Sequence, residues 1–279
     1  MIDVEDVGRV RLLRLNRPEA KNAFNEAQYD RLTELLLDAE DDSTVAVVVI
    51  TGQGDSFSSG TDVVELGQRM ADPSFTSGKH GFPGLADTLV DFSKPLVCAV
   101  NGLGLGIGVT ILGLSDLVFM ARSARVKCPF TDLALAPEAA SSFTFTAIMG
   151  RQNATWTLLS SQWLSAEECF SMGLAFKLCS DEELLDVTME HAQVLAAKPI
   201  SSLIASKKLI MDPIRERIQA ARKDEDSAFA ELLGKPANLE ALQAFAEKRD
   251  PDFSSLGVSS FQKSGLVAHL KRRQFPVIL

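Results

Sequence analysis

The chain has 279 residues, 46% hydrophobic and 23% charged, enough to bury a full core as one large domain or one domain plus a small appendage. A net charge of -9 excludes a surface built to neutralise nucleic-acid phosphates. Cys98, Cys128, Cys169 and Cys179 show no C-x-x-C spacing and read as reduced core thiols in a cytoplasmic setting, with no metal-ligating set among them. The opening MIDVEDVGRV has no apolar signal region and the closing FPVIL no lipidation pattern, so neither a secretory leader nor an anchor is expected.

In chain order, GRVRLLRLNRP reads as an early strand closed by Asn16-Arg17-Pro18. A helix follows, with Asn25 as N-cap and Tyr29, Leu32, Leu35, Leu36 and Ala39 at helical spacing up to Asp41-Asp42. Val45 to Ile50 is a buried strand that opens into Gly52, Gly54 and the loop Phe57-Ser58-Ser59-Gly60-Thr61-Asp62, with a helical pattern from Val63. Ala71 to Gly84 is a mixed loop of the kind that forms lids or ligand walls, and its His80 is expected to be solvated rather than catalytic. A helix is expected over Leu85 to Phe92.

The next stretch organises the rest. PLVCAV is a short apolar strand that stops at Asn101-Gly102, and Gly102, Gly104, Gly106 and Gly108 then fall on alternate positions. Glycine permits positive φ and close approach, so backbone N–H groups at the next helix start could face an anion or oxyanion. Pro95 to Ser115 carries no charged residue, yet its glycines and Asn-Gly turn argue against a membrane span. The G-x-G-x-x-G spacing of a dinucleotide site is absent. Two strand-loop-helix units side by side would offer two N–H donors, the number an oxyanion hole uses, although Ser58, Ser59 and Asp62 would serve equally as ordinary caps. No serine stands in G-x-S-x-G, which leaves a Ser-His-Asp hydrolase without support.

Further on, Pro137-Glu138 precedes a helical pattern, where a glutamate in the first turn would favour the macrodipole. Asp132 is expected at a turn or on the surface. Ser165-Ala-Glu-Glu168 reads as a capping box, Gly173 as a helix end, and LAFKLC as a last strand. Asp181 to Ala197, Ile200 to Met211, Ile214 to Leu233 and Asn238 to Lys248 read as helices, the second and third divided by Pro213. The tail after Phe253, with KRRQ at 271 to 274, reads as a solvated end.

RLNRPEAKNAFN, VVVITGQGDSFSSGTDV, KPLVCAVNGLGLGIGV, the Leu-Ser-Asp116-Leu-Val-Phe run and FAEKRDPDF together resemble the crotonase, or enoyl-CoA hydratase/isomerase, superfamily over residues 8 to 253. The resemblance implies an α/β fold, a spiral of repeated β-β-α units forming an acyl-CoA-binding core (1 to 197), a helical trimerisation region (198 to 253) and a tail (254 to 279). It implies an acyl-CoA partner whose coenzyme A is part of the substrate, no separate cofactor, and assembly as a homotrimer or a hexamer. The thioester oxygen would sit between the backbone N–H groups of Ser59 and Ile107, with Gly60, Thr61, Asp62 and Gly106 around the substrate. Lys21 and Ala23 match the loop that meets the nucleotide, where Lys21 reads equally as a solvated lysine. Lys248 and Phe253 match positions that reach over a neighbour's nucleotide.

The two glutamates with which the family's hydratases add water correspond here to Thr110 and Phe130, neither of which exchanges a proton near neutral pH. LALAPEAASSFTF, FSSGTD and GIGVTILGL instead resemble the subgroup of 3-enoyl-CoA to 2-enoyl-CoA isomerases, which implies Glu138 as a single catalytic base. Burial beside an acyl chain and Phe143 or Phe145 is expected to raise its pKa.

Overall fold

β3 (Val47–Gly52) is buried at every residue, so it needs a strand on each edge and a covering on each face. In the computed structural model, which describes residues 1–72, 74–254 and 256, β3 lies between β2 (Val10–Leu15) and β5 (Leu96–Val100). β1 (Ile2–Val7) pairs antiparallel with β2 at one edge. β7 (Leu117–Ala121) and β10 (Lys177–Cys179) extend the parallel part beyond β5. A second sheet holds the short strands β4 (Ser56–Ser58), β6 (Leu103–Leu105), β8 (Arg125–Lys127) and β9 (Leu164–Ser165), in that order.

The chain alternates between the two sheets. β3 is followed by β4 and then by α2 (Val63–Ala71) and α3 (Gly81–Asp91). β5 is followed by β6, the single turn α4 (Ile107–Thr110) and a 3₁₀ turn at Ile111–Leu114. β7 is followed by β8 and α5 (Ser141–Ser160). Each passage gives one strand to each sheet before its helix, which is the crotonase-like spiral of β-β-α units. The loops at the C-terminal ends of β3, β5 and β7 therefore lead into the same small sheet, and they meet there.

α1 (Glu26–Asp41) covers one face through Tyr29, Leu32, Leu35, Leu36 and Ala39, and Asn25 caps it by accepting from the Gln28 N–H. α6 (Ala166–Met172) opens on the Ser165–Glu168 capping box and ends at Gly173. α7 (Leu184–Ala196) packs on the large sheet. Asp116 anchors the C-terminal region, since one oxygen accepts from both the Leu96 N–H and Lys207 Nζ at 2.7 Å.

Three expectations are corrected. Pro213 does not divide two helices, because α8 runs unbroken over Ile200–Leu232. A proline removes one backbone bond, and here Lys207 on one side and Arg222, bonded to the Pro83 carbonyl, on the other hold both halves to the core. β1 was not foreseen, because in this acidic edge strand the alternation stops after Ile2-Asp3-Val4-Glu5 and only Ile2 is buried. The small sheet was not foreseen either, because strands of two or three residues carry too little pattern. α9 (Pro236–Glu247) closes the described chain, and the basic cluster at 271 to 274 lies outside the described residues. The apolar run from Pro95 to Ser115 is two strands and two short helical turns, and among the described residues no helix is long and apolar enough to cross a membrane.

Candidate active site

Three loops are stitched together where the spiral brings them side by side. Asn22, fully buried, donates to the carbonyls of Gln53 and Ser56 and accepts from the Arg17 N–H, tying the 17–24 loop to the loop after β3. Ser58 Oγ donates to the Asn22 carbonyl and accepts from the Gly60 N–H. The third loop closes against Gly60. A Cβ built at Gly60 would stand 2.9 Å from the Leu105 carbonyl oxygen, and Gly60 itself has φ +87°. Both facts demand glycine. Gly106 mirrors it with φ +50°, and a Cβ there would stand 3.9 Å from the Gly60 Cα and 3.7 Å from Glu138 Oε1. A glutamate oxygen thus lies beside a cradle made by two facing glycines.

The donors in this cradle differ from the expected pair. The Ser59 N–H donates to the Lys21 carbonyl at 2.9 Å and is not free for a ligand, so Ser59 is withdrawn as an oxyanion donor. The positive φ of Gly60 breaks the extended run after Ser59, and the peptide beyond it takes its direction from a new pairing. Phe24 and Thr61 form a parallel bridge, in which Gly60 accepts from the Phe24 N–H and Asp62 donates to the Phe24 carbonyl. The N–H and carbonyl of Thr61 must then point the other way. The Thr61 N–H has no acceptor among the described residues, and neither has that of Ile107, the first residue of α4 after Gly106. The free donors flanking the facing glycines are therefore Thr61 and Ile107.

Glu138 lies ahead of α5, whose N-cap is Ala140, so it is not a first-turn glutamate of that helix. Its side chain is half-buried and receives no hydrogen bond from the described residues. Burial, with the charges of Glu225 and Asp226 added, pushes its pKa up to about 8. The same carboxylate acts on two neighbours. Tyr29 is held well above the ordinary phenol value by burial and then by Glu138, and Cys128 is raised by the same two causes in that order. Tyr29 also shares a 2.8 Å hydrogen bond with Thr61 Oγ1, so α1 braces one of the two donor loops.

A model of the enoyl-CoA hydratase/isomerase family matches residues 5–256. The chain belongs to that family. It is 32% identical to the 1,2-epoxyphenylacetyl-CoA isomerase of Escherichia coli over 252 residues, 88% of this chain and 95% of that protein. It is 31% identical to the rat enoyl-CoA delta isomerase 2 over 257 residues, spanning 63% of that longer protein. The crystal structure of enoyl-CoA hydratase EchA8_6 from Mycobacterium marinum is 57% identical with a TM-score of 0.74, covering 76% of this chain and 99% of that one. The relatives thus carry both isomerase and hydratase names. The side chains of the site must discriminate between them.

Thr110 is buried in α4 with its Oγ1 unpartnered, and Phe130 is 3% exposed. Neither position supplies a second carboxylate beside the cradle. Asp132 is paired with Lys127 at 2.6 Å on the surface side, as expected of it. Asp62 caps α2 through the Val64 and Glu65 N–H groups and pairs with Arg17 at 3.0 Å. Burial would raise its pKa, but these donors outweigh it and hold Asp62 below the ordinary carboxylate range. Asp62 thereby supports the loop. Lys21 is exposed at the rim with its side chain unpaired among the described residues, while Ala23 is buried with its carbonyl bonded to Arg17. His80 precedes α3 and is half-buried with Nε2 enclosed and unpartnered, which corrects its expected solvation.

Asn22, Tyr29 and Glu225 escaped the sequence reading as site residues, and Thr61 was expected beside the substrate but not as an N–H donor. Asn22 gave a signal, since N-A-F-N follows a turn and an asparagine tolerates its φ of +57°. Thr61 was legible only through the bridge register. Tyr29 reads as one more core position of α1, and Glu225 lies far along the chain on a helix that looks purely structural. Among the described residues no cluster of His, Cys, Asp or Glu is placed to hold a metal ion.

Proposed function

We propose that the protein shifts the double bond of a fatty acyl-CoA from the 3- to the 2-position, with Glu138 as sole proton carrier. The observation that carries this reading is the placement of Glu138 Oε1 beside Gly106, the residue before one of two unpartnered N–H donors. In the proposed step Glu138 removes a proton from C2. The electron pair moves into the thioester, making a dienolate whose oxygen is held by the Thr61 and Ile107 N–H groups. Protonation at C4 by the same carboxyl then gives the conjugated 2-enoyl product and restores the base. Fixed donors of this kind contribute roughly 3–4 kcal/mol each to transition-state stabilisation.

Hydration would need a second acid or base to orient water, and Thr110 and Phe130 offer none. The nucleotide end is assigned to the loop of Lys21 and Ala23, which is hydrogen-bonded to the donor loop. Self-association as a trimer or a dimer of trimers is supported by Leu209 and Ile210 on α8 and Phe245 on α9, which stand 77%, 69% and 65% exposed. Light scattering on the purified chain tests it. A cytoplasmic setting is supported by four buried, free cysteines.

The test is incubation with 3-enoyl-CoA esters of several chain lengths, following the absorbance of the conjugated thioester. Conversion supports the reading. Hydrated product without isomerisation would transfer the site to hydratase chemistry, and CoA-ester binding with no turnover would make the protein an acyl-CoA binder.

A further inference from the structure

α5 begins without a cap of its own. Its N-cap residue, Ala140, has no side chain that can accept a hydrogen bond, and Ala139 and Ala140 both adopt φ +57°, which disfavours any residue with a Cβ. Both alanines are fully buried and directly follow Glu138. Such a turn persists only where its surroundings hold it. The holding group comes from α8, more than eighty residues along the chain. Glu225, 5% exposed, accepts the Ser142 N–H on Oε1 at 2.7 Å and also faces the Ala140 N–H. Its other oxygen, Oε2, is enclosed without a partner.

We propose that Glu225 is the positioning residue of Glu138: its carboxylate supplies the cap that α5 lacks and so fixes the Glu138-Ala139-Ala140 turn against the Gly60–Gly106 cradle. This rests on the reading of Glu138 as the base. A second consequence follows from charge. Burial raises the Glu225 pKa, while the Ser142 and Ala140 donors oppose that rise. Once ionised, Glu225 resists ionisation of Glu138, keeping that carboxyl protonated to higher pH. The other groups facing Glu138 are Asp226 from α8, Tyr29 from α1 and Cys128. Tyr29 in turn faces Glu26 and Glu65. Arg222 faces Glu225 and Asp226; its two terminal nitrogens are bonded to Asp87 and the Pro83 carbonyl, and its Nε stands 4.0 Å from Asp226.

The experiment compares Glu225→Gln, which keeps an oxygen acceptor but no charge, with Glu225→Ala, which keeps neither. Titration of the Glu138 carboxyl is followed by difference infrared spectroscopy, its band identified by loss in Glu138→Gln. The Glu138 midpoint is expected to fall by about one pH unit in Glu225→Gln, with kcat at its optimum close to the parent's. Glu225→Ala is expected to lose about 10²-fold in kcat with little change in KM, since the acyl-CoA contacts remain while the base is misplaced. An unmoved midpoint in Glu225→Gln, or a kcat in that variant as low as in Glu225→Ala, overturns the proposal. If Glu225→Ala does not fold, the Gln variant still decides. A parent inactive on 3-enoyl-CoA refutes the catalytic reading alone, because the titration needs no turnover.

Discussion

The replacement of Glu138 by Gln tests the site most directly, because catalysis and stability should move in opposite directions. Gln keeps the shape and removes the proton-transfer group, so kcat is expected to fall about 10²–10⁴-fold, the range general acid-base catalysis supplies. The parent should show the base in its pH profile. With a pKa of about 8, roughly 9% of the carboxyl is ionised at pH 7 and roughly 91% at pH 9, so kcat/KM rises about tenfold between them. The sign for stability follows from the same shift. A carboxyl whose pKa rises from 4.5 to about 8 on folding leaves the fold at full stability below pH 4.5, and that contribution is lost as pH climbs through 8.

The upper bound on that loss is about 5 kcal/mol, and water reaching the half-buried side chain reduces it to about 1–3 kcal/mol. Glu138→Gln is therefore expected to melt a few degrees higher than the parent at pH 8 and to match it at pH 4.5. The assays are turnover of 3-enoyl-CoA and calorimetric melting at both pH values. A variant that keeps its turnover, or melts lower than the parent at pH 8, would show that Glu138 is a structural glutamate.

The glycines of the cradle give a second prediction. Gly60→Ala places a Cβ 2.9 Å from the Leu105 carbonyl at φ +87°, so it should separate the two donor loops and abolish turnover, seen by kinetics on a variant whose circular dichroism is unchanged. Tyr29→Phe removes the bond to Thr61 Oγ1 and should lower kcat by about 2- to 10-fold, the worth of one neutral hydrogen bond, and equal kinetics would deny Tyr29 a bracing role. Lys207→Met strips Asp116 of its cation and should destabilise the fold by about 2 kcal/mol in urea without altering KM, an outcome reversed if the C-terminal helices contribute nothing to core stability.

The large sheet was legible because its inner strands are continuous apolar runs, and such runs have few alternatives to burial on both faces. α1, α2 and α6 were legible through their caps, Asn25, Asp62 and Ser165, each of which binds the N–H its spacing specifies. Alternating glycines marked the cradle, and the structure uses Gly60 and Gly106 at positive φ. What spacing could not give was which N–H on the second loop faces inward. Ser59 and Thr61 are two residues apart, so alternation alone would turn both N–H groups the same way; the turn at Gly60 between them, with φ +87°, and the bridge to Phe24, thirty-odd residues upstream, separate them. The continuity of α8 through Pro213 was hidden for the same reason, since contacts distant in sequence hold it.

The site also explains why a sequence can announce the proposed base, Glu138, while concealing what raises its pKa. Pro137-Glu138-Ala139-Ala140 reads locally as a helix start, and a glutamate in a first turn would have its pKa lowered by the macrodipole. The structure instead starts the helix at Ser141 and inserts two left-handed alanines, a conformation that costs about 1–2 kcal/mol per residue. That displacement takes Glu138 out of the helix's capping geometry and leaves its carboxyl without a donor. Burial and the charge of Glu225 then act unopposed, and the pKa rises where the local pattern would have it fall. A carboxyl so placed would hold a proton long enough to return it to a second carbon, the property that the proposed one-base isomerisation needs and a solvated glutamate lacks.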